Sequence, residues 1–563
     1  MSHLPIATKD ESDTAIHNEY LQDNMDIFFD EIESPSASAQ KQLTTLATAS
    51  IVGVLTGVNI VIFKRSIEVM REFCYGDSYI ANHFPLFSIP MIGGIAVGLV
   101  LLSGELPPGL RQTVTEVDRD SMASMMPERT AERSPLRQLQ QGARKAFAAA
   151  TTLGSGNSLG PEGPSVEAGM TMARVVSNFV NDDRTRRFQE NARKVLVSRG
   201  ESSEDRRDGY WSQLDDSPII HEAIKRRRLF LSCGAAAGVS AGFNAPLAGV
   251  FFALEVVQRA LLAASEEDDD TPNSKTQDSL TVDSISISAI LLSSVLSALV
   301  IKFLLGSEEA LRVPSFSLTN PLFELPLYLL LGSFAGILAA SFSAFAKLTK
   351  SVFVGELGPE FLKDFFKTIP KNTKPLVGSL FCGLMGVTYP QTLFFGYETL
   401  NGLLASKVFP TQDALSLLAA KFSTTAVAAS SGLVGGTFAP SIFLGGMLGA
   451  AFHNSAESFA HFLTNTFPQI SPLVFDVSDL PAYAMVGGAS VLAALFRAPL
   501  TASLLLFEST KNYDVILPLM ASAGIGSLVG DIIEQLLEEQ RRDLDNVSWG
   551  DLAMKNAQKG DEH

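Results

Sequence analysis

Gly160-Pro161-Glu162-Gly163-Pro164-Ser165-Val166 has a second copy further along the chain, Gly436-Thr437-Phe438-Ala439-Pro440-Ser441-Ile442. The two agree at Gly, Pro, Ser and a β-branched aliphatic, with Glu162 opposite Phe438. A second pair follows in the same order. Ala245-Pro246-Leu247 leads to Glu255 and Ala498-Pro499-Leu500 leads to Glu508, each acid eleven residues beyond Asn244 or Arg497. Two halves of one plan in an apolar chain predict an internally duplicated transporter or channel, with its site where broken helices from both halves meet.

With 563 residues, 46% of them hydrophobic, and a mean hydropathy of +0.20, the chain is too apolar for an ordinary soluble enzyme. It reads as an all-α polytopic membrane protein. Apolar segments cover residues 46–63, 86–102, 229–263, 284–305, 325–347, 374–395, 410–429, 436–453, 482–508 and 515–537. Several are short or broken by Gly and Pro. In a bilayer such breaks survive only where the freed backbone groups face protein or a wet cavity, so they point inward to a pathway.

The net charge of −17 is unevenly spread. Residues 1–44 form an acidic arm that reads as disordered, with nine acids against Lys9 alone in residues 1–34. It resembles neither a secretory signal nor an organellar transit peptide. A membrane domain spans 45–540, with a first repeat at about 45–263, a linker at 264–281 and a second repeat at about 284–540. Within the first repeat lies a polar insert, 181–228, whose twelve Lys and Arg end in Lys225-Arg226-Arg227-Arg228. The positive-inside tendency puts that insert on the cytosol-like face. Its interleaved acids, and the lack of an aromatic series, speak against nucleic acid. Residues 541–563 read as a short polar tail, with no nucleotide-binding tail visible. Cys74, Cys233 and Cys382 have no metal-like spacing and read as apolar fillers.

A Gly-rich turn opening a helix inside a membrane offers backbone N–H groups without intrahelical partners and the positive end of the helix dipole, which together attract anions. Gly154, Gly156, Gly160 and Gly163 let the backbone approach an ion closely, while Pro164 and Pro440 suit a first helical turn. Dipoles bind and release where a full positive charge holds too tightly. Glu162 puts a carboxylate where the site attracts negative charge. As a gate it occupies the anion position when ionised and leaves when protonated or displaced; the alternative is a helix-start acid satisfying backbone donors. Glu255 and Glu508 read chiefly as structural caps or partners of a base such as Arg497, with a proton site as the alternative. The seven histidines show no metal-binding helix spacing and no nucleophile motif is present, so neither an enzyme nor a metal site is expected.

Gly156-Asn157-Ser158-Leu159-Gly160-Pro161-Glu162-Gly163-Pro164, Gly435-Gly436-Thr437-Phe438-Ala439-Pro440 and Arg497-Ala498-Pro499-Leu500 resemble the CLC family of chloride channels and anion/proton exchangers, over about residues 45–540. The wording of the first stretch is closest to the plant and algal branch associated with plastid, thylakoid and other endomembranes. The resemblance implies two inverted repeats of tilted, broken helices and a homodimer with one pore per subunit. It also implies inorganic anions as cargo, membrane lipid as surroundings and no cofactor. It makes Glu162 the gating glutamate, and Gly160, Pro161, Gly163, Thr437, Phe438 and Ala439 the anion-binding backbone.

Three departures qualify the resemblance. The family's Gly-Ser-Gly-Ile-Pro element is best matched by Pro107-Pro108-Gly109-Leu110-Arg111, which adds Pro108 and Gly109 to the anion site. Proline at this place accompanies a preference for nitrate in family members, so chloride and nitrate are both open. The inner proton-relaying acid of family exchangers falls on Val256, one residue after Glu255. Valine carries no proton, so the resemblance favours a voltage- or pH-gated anion channel, with an electrogenic anion/proton exchanger as the alternative. Finally, the family's pore tyrosine has no counterpart after Tyr513. Trp549 is the aromatic donor that could replace it, or an interfacial tryptophan.

Overall fold

A computed structural model describes residues 35–76, 83–104, 106–107, 109, 135–180, 218–261, 283–306, 311–313, 318, 323–405, 407, 409–466 and 477–560. Side chains are not described for 35–38, 135, 218–221, 223 and 540–560. The first half holds α1 (Pro35–Tyr75), α2 (Ile89–Leu102), α3 (Pro135–Gly154), α4 (Glu162–Phe179), α5 (Pro218–Phe243), α6 (Pro246–Phe252, running into a π turn at Ala253–Val257) and α7 (Ser284–Leu305). The second half holds α8 (Leu325–Val354), α9 (Glu360–Thr368), α10 (Lys374–Thr388), α11 (Tyr397–Leu404), α12 (Thr411–Ser430), α13 (Phe438–Thr466), α14 (Leu480–Phe496), α15 (Pro499–Thr510) and α16 (Ile516–Gly560). The described residues are all-α, apart from one isolated bridge.

Among the described residues, four stretches are long and apolar enough to cross a membrane: Ala39–Tyr75, Ser284–Leu305, Leu325–Val354 and Tyr513–Glu539. Each leaves large apolar side chains on its outer surface, such as Ile62, Leu299, Phe334 and Leu528, as lipid-facing helices do. Others are shorter, including Leu86–Leu102, Lys374–Thr388 and Leu480–Phe496. Helices this short end inside the protein, where their backbone termini must find partners.

Packing repeats between the halves. α4 lies on α5 as α13 lies on α14, and α1 lies on α7 as α8 lies on α16. The first of these pairings uses glycine against glycine in both halves. A Cβ on Gly169 would sit 2.1 Å from the Gly234 carbonyl oxygen, and one on Gly445 would sit 2.2 Å from that of Gly487. Without a hydrophobic driving force between helices in lipid, such backbone approach is what lets them pack closely. The chain also breaks alike in both halves. Asn244 and Arg497 are left-handed, at φ 57° and 53°, and the next residues, Ala245 and Ala498, begin α6 and α15 at φ −127° and −133°.

Several boundaries differ from the sequence reading. The first helix begins at Pro35, ahead of the expected boundary at residue 44. The segments 229–263 and 482–508 each split in two at the left-handed residue. The basic run at the end of the 181–228 insert lies within α5, which starts at Pro218. α3 was absent from the apolar segments because its first half, Leu136-Arg137-Gln138-Leu139-Gln140-Gln141, is polar. The tail beyond 540 continues α16 without a break to Gly560. Cys74, Cys233 and Cys382 are buried free thiols, as expected of apolar fillers.

Candidate functional site

Both signatures open helices, Glu162 beginning α4 and Phe438 beginning α13. They also pair directly. Gly160 N donates to Gly436 O and Gly436 N to Gly160 O, both at 2.7 Å, in an antiparallel bridge. Equivalent residues that exchange identical contacts imply a two-fold relation, and the antiparallel sense makes the repeats inverted. Glycine is required here by contact. A Cβ on Gly160 would lie 2.4 Å from Glu162 Oε2 and 3.0 Å from Ala439 Cβ, and one on Gly163 would lie 3.0 Å from Gly436 Cα.

Glu162 is 3% exposed. Its Oε2 accepts from Ala439 N at 3.4 Å, at the first turn of α13, and its Oε1 accepts from the Tyr397 hydroxyl. The carboxylate from one half therefore sits at the dipole-positive end of the helix from the other. Lys64 of α1 is close enough to interact with it electrostatically, while its own Nζ donates to the carbonyls of Ala241 (3.0 Å) and Gly242 (2.8 Å) at the end of α5. The Phe438 ring is surrounded by Phe243, Phe252 and Phe496, with centroids 5.4, 6.3 and 4.5 Å away. The Ser441 hydroxyl in α13's first turn is engaged with Phe438 O at 2.6 Å. Gly160, Glu162, Gly163, Phe438 and Ala439 thus come together, with Pro161 and Thr437 as their chain neighbours.

Glu255 and Glu508 lie elsewhere and serve each other's half. Glu255 accepts from Leu500 N (3.1 Å), Thr501 N (2.7 Å) and Thr501 Oγ1 (2.7 Å), closing the start of α15. Glu508 accepts from Leu247 N (3.0 Å) and Ala248 N (2.9 Å), closing the start of α6. Each acid supplies the acceptor that a helix beginning with Pro cannot find in its own chain. Arg497 pairs instead with Asp531 and Glu534 of α16, at 2.7 and 2.8 Å, so its expected pairing with either acid does not form. Val256 lies within the π turn and packs against the main apolar core.

Pro107 and Gly109 lie near the second turn of α4. The Pro107 carbonyl accepts from Lys145 Nζ at 2.9 Å, Lys145 pairs with Glu167 at 2.9 Å, and a Cβ on Gly109 would lie 3.5 Å from Glu167 Oε1. Pro108 lies outside the described residues, and Trp549 lies on the backbone of α16 with its side chain outside them. Tyr397 is the site residue that sequence reasoning missed. It stands in no repeated motif, and its only local signal is the Gly396-Tyr397 turn into a short helix.

The family model described as voltage gated chloride channel matches residues 110–531. Arabidopsis thaliana chloride channel protein CLC-e is 32% identical over 507 residues, covering 87% of this chain and 60% of that protein. Chloride channel protein CLC-f of the same plant is 30% identical, covering 90% and 56%. The chain therefore spans under two thirds of the length of these relatives. The H(+)/Cl(-) exchange transporter ClcA of Yersinia pestis is 28% identical over 499 residues, covering 87% and 85%. Among solved structures, a slow cyanobacterial Cl-/H+ antiporter matches at TM-score 0.57 and 20% identity, over 88% of this chain and 97% of that one, and a eukaryotic CLC transporter at 0.55 and 18%, over 87% and 72%. With its inverted repeats, its paired Gly-Pro signatures and these relatives, the chain belongs to the voltage gated chloride channel (CLC) family and is an integral membrane protein.

Proposed function

We propose that this protein is an anion channel, passing chloride or nitrate down its gradient, with Glu162 as its gate and one pathway in each subunit of a homodimer. The supporting observation is the Glu162 carboxylate, buried at the first turn of α13 and accepting from Ala439 N. An acid side chain here is a tethered copy of the cargo. Ionised, it competes for the helix-terminal donors; protonated, it loses the charge that they attract. Acid on the side that reaches Glu162 therefore raises flux. The backbone amides of Thr437, just before α13, and of Phe438, its first residue, are the donors left for a passing anion. Gly109, beside Glu167, lines the approach.

A channel is favoured over an exchanger because Val256 offers no proton acceptor and the Glu255 carboxylate is engaged by three donors. The exchanger reading draws support from ClcA and the cyanobacterial antiporter, both named as proton-coupled. Efflux of chloride or nitrate from liposomes, with a pH probe outside, separates the two. Anion efflux without coupled proton movement is expected. Stoichiometric proton uptake that vanishes in Glu255→Gln would establish the exchanger instead. In either case Glu162→Ala is expected to abolish the acid response, and a variant that keeps normal acid gating removes Glu162 from the role.

A further inference from the structure

Tyr397 reaches Glu162 because the segment before it is held from three sides. From α12, the fully buried Lys421 donates Nζ to the carbonyls of Thr392 (2.9 Å) and Phe394 (2.7 Å). From the first signature loop, the Gly156 carbonyl accepts from Phe394 N at 3.2 Å. From α1, Tyr75 and the Arg71 guanidinium pack on the Phe394 ring at 4.9 and 4.6 Å, and Arg71 also pairs with Glu398. Within this strap Phe394 and Gly396 are left-handed, at φ 57° and 89°.

A buried ammonium engaged by two carbonyls and a non-glycine residue at positive φ are both costly, and they persist where surrounding structure over-determines them. The strap leads directly into α11, Tyr397–Leu404, whose first residue is Tyr397. What the strap delivers to the site is one hydroxyl, placed on Glu162 Oε1. The hold from the opposite half's helix start, Ala439 N at 3.4 Å, is long. A hydroxyl donating to a carboxylate is among the stronger hydrogen bonds.

Resting on the Glu162 gate above, we propose that Tyr397 is its latch: a positioning residue whose hydroxyl holds the carboxylate at the start of α13, so that opening requires this hydrogen bond to break. The strap braced by Lys421 sets where the latch sits. Lys64 acts on Glu162 by charge alone, since its ammonium is engaged with the α5 carbonyls, and it does not substitute for the hydroxyl.

Tyr397→Phe removes the hydroxyl and keeps the ring, so the packing around α11 survives. The test measures chloride efflux from liposomes at neutral pH for wild type, Tyr397→Phe, Glu162→Ala and the double variant. With a hydrogen bond to a charged group lost, Tyr397→Phe is expected to raise flux about tenfold over wild type. The double variant should match Glu162→Ala within about twofold, because the latch has nothing left to hold. Wild-type or reduced flux in Tyr397→Phe beside an open Glu162→Ala overturns the latch and leaves the gate standing. An equal effect of Tyr397→Phe in both backgrounds also overturns it, marking the residue as structural. If Glu162→Ala does not open the pathway, gate and latch fall together.

Discussion

The two signatures share a backbone path but set an acid, Glu162, against an aromatic ring, Phe438, whereas the two acids downstream of them share both side chain and role. Glu162 and Phe438 begin equivalent helices and their glycines bond reciprocally, yet one carries a carboxylate and the other an aromatic ring walled in by Phe243, Phe252 and Phe496. Glu255 and Glu508 each close the start of the opposite half's helix. Symmetry was kept where the demand is mechanical, since both broken helices need an acceptor. It was lost at Glu162 and Phe438, where the proposed gate asks for one carboxylate for one path.

The comparison breaks first at Glu162. Glu162→Ala makes the two signatures alike in lacking an acid, and is expected to raise neutral-pH flux about tenfold or more and flatten its pH dependence, read by liposome efflux across a pH series. Stability tests sharpen the symmetric side. Gly169→Val and Gly445→Val each drive a side chain into a facing backbone carbonyl, and each should cost about 1–3 kcal/mol or more, with similar losses in Tm. A large loss in one half and none in the other would mean that the matched contacts do different work.

A smaller effect is expected of the capping acids. Glu255→Gln and Glu508→Gln keep an acceptor but lose its charge at a helix start, for about 0.5–2 kcal/mol each. The Glu255 variant should lose more, because Thr501 Oγ1 adds a third donor to it. Lost proton coupling in Glu255→Gln at unchanged Tm would instead make that acid a proton carrier. The smallest change is expected for Lys347→Ala. Its pairs with Glu534 and Glu538 are half exposed on the lysine side, so the loss should stay below about 1 kcal/mol by the same thermal assay.

Much of the site was legible because its parts are local. Gly160, Gly163 and Gly436 sit where a helix opens at bonding distance from another backbone, and a Gly-Pro turn records that need in consecutive residues. The breaks at Asn244 and Arg497 were harder to read, since an apolar run such as 482–508 looks continuous until the left-handed residue is seen. The expected partnership of Arg497 with a nearby acid was also misplaced. Asp531 and Glu534 belong to α16, and only the packing of α14 on α16 brings them to the arginine.

From the sequence alone came the membrane setting, the duplication, the family resemblance and the identity of Glu162, because hydropathy and motif spacing are properties of neighbouring residues. Tertiary structure decided which groups those residues meet. Tyr397 joins Glu162 across 235 positions of chain and Thr501 joins Glu255 across 246, and no nearby residue of either partner points to the acid it meets. Such pairings exist because the inverted halves dock with their helix starts facing one another. Once lipid excludes water as a partner, such carboxylates must find their donors in protein, and for Glu162, Glu255 and Glu508 the opposite half supplies them.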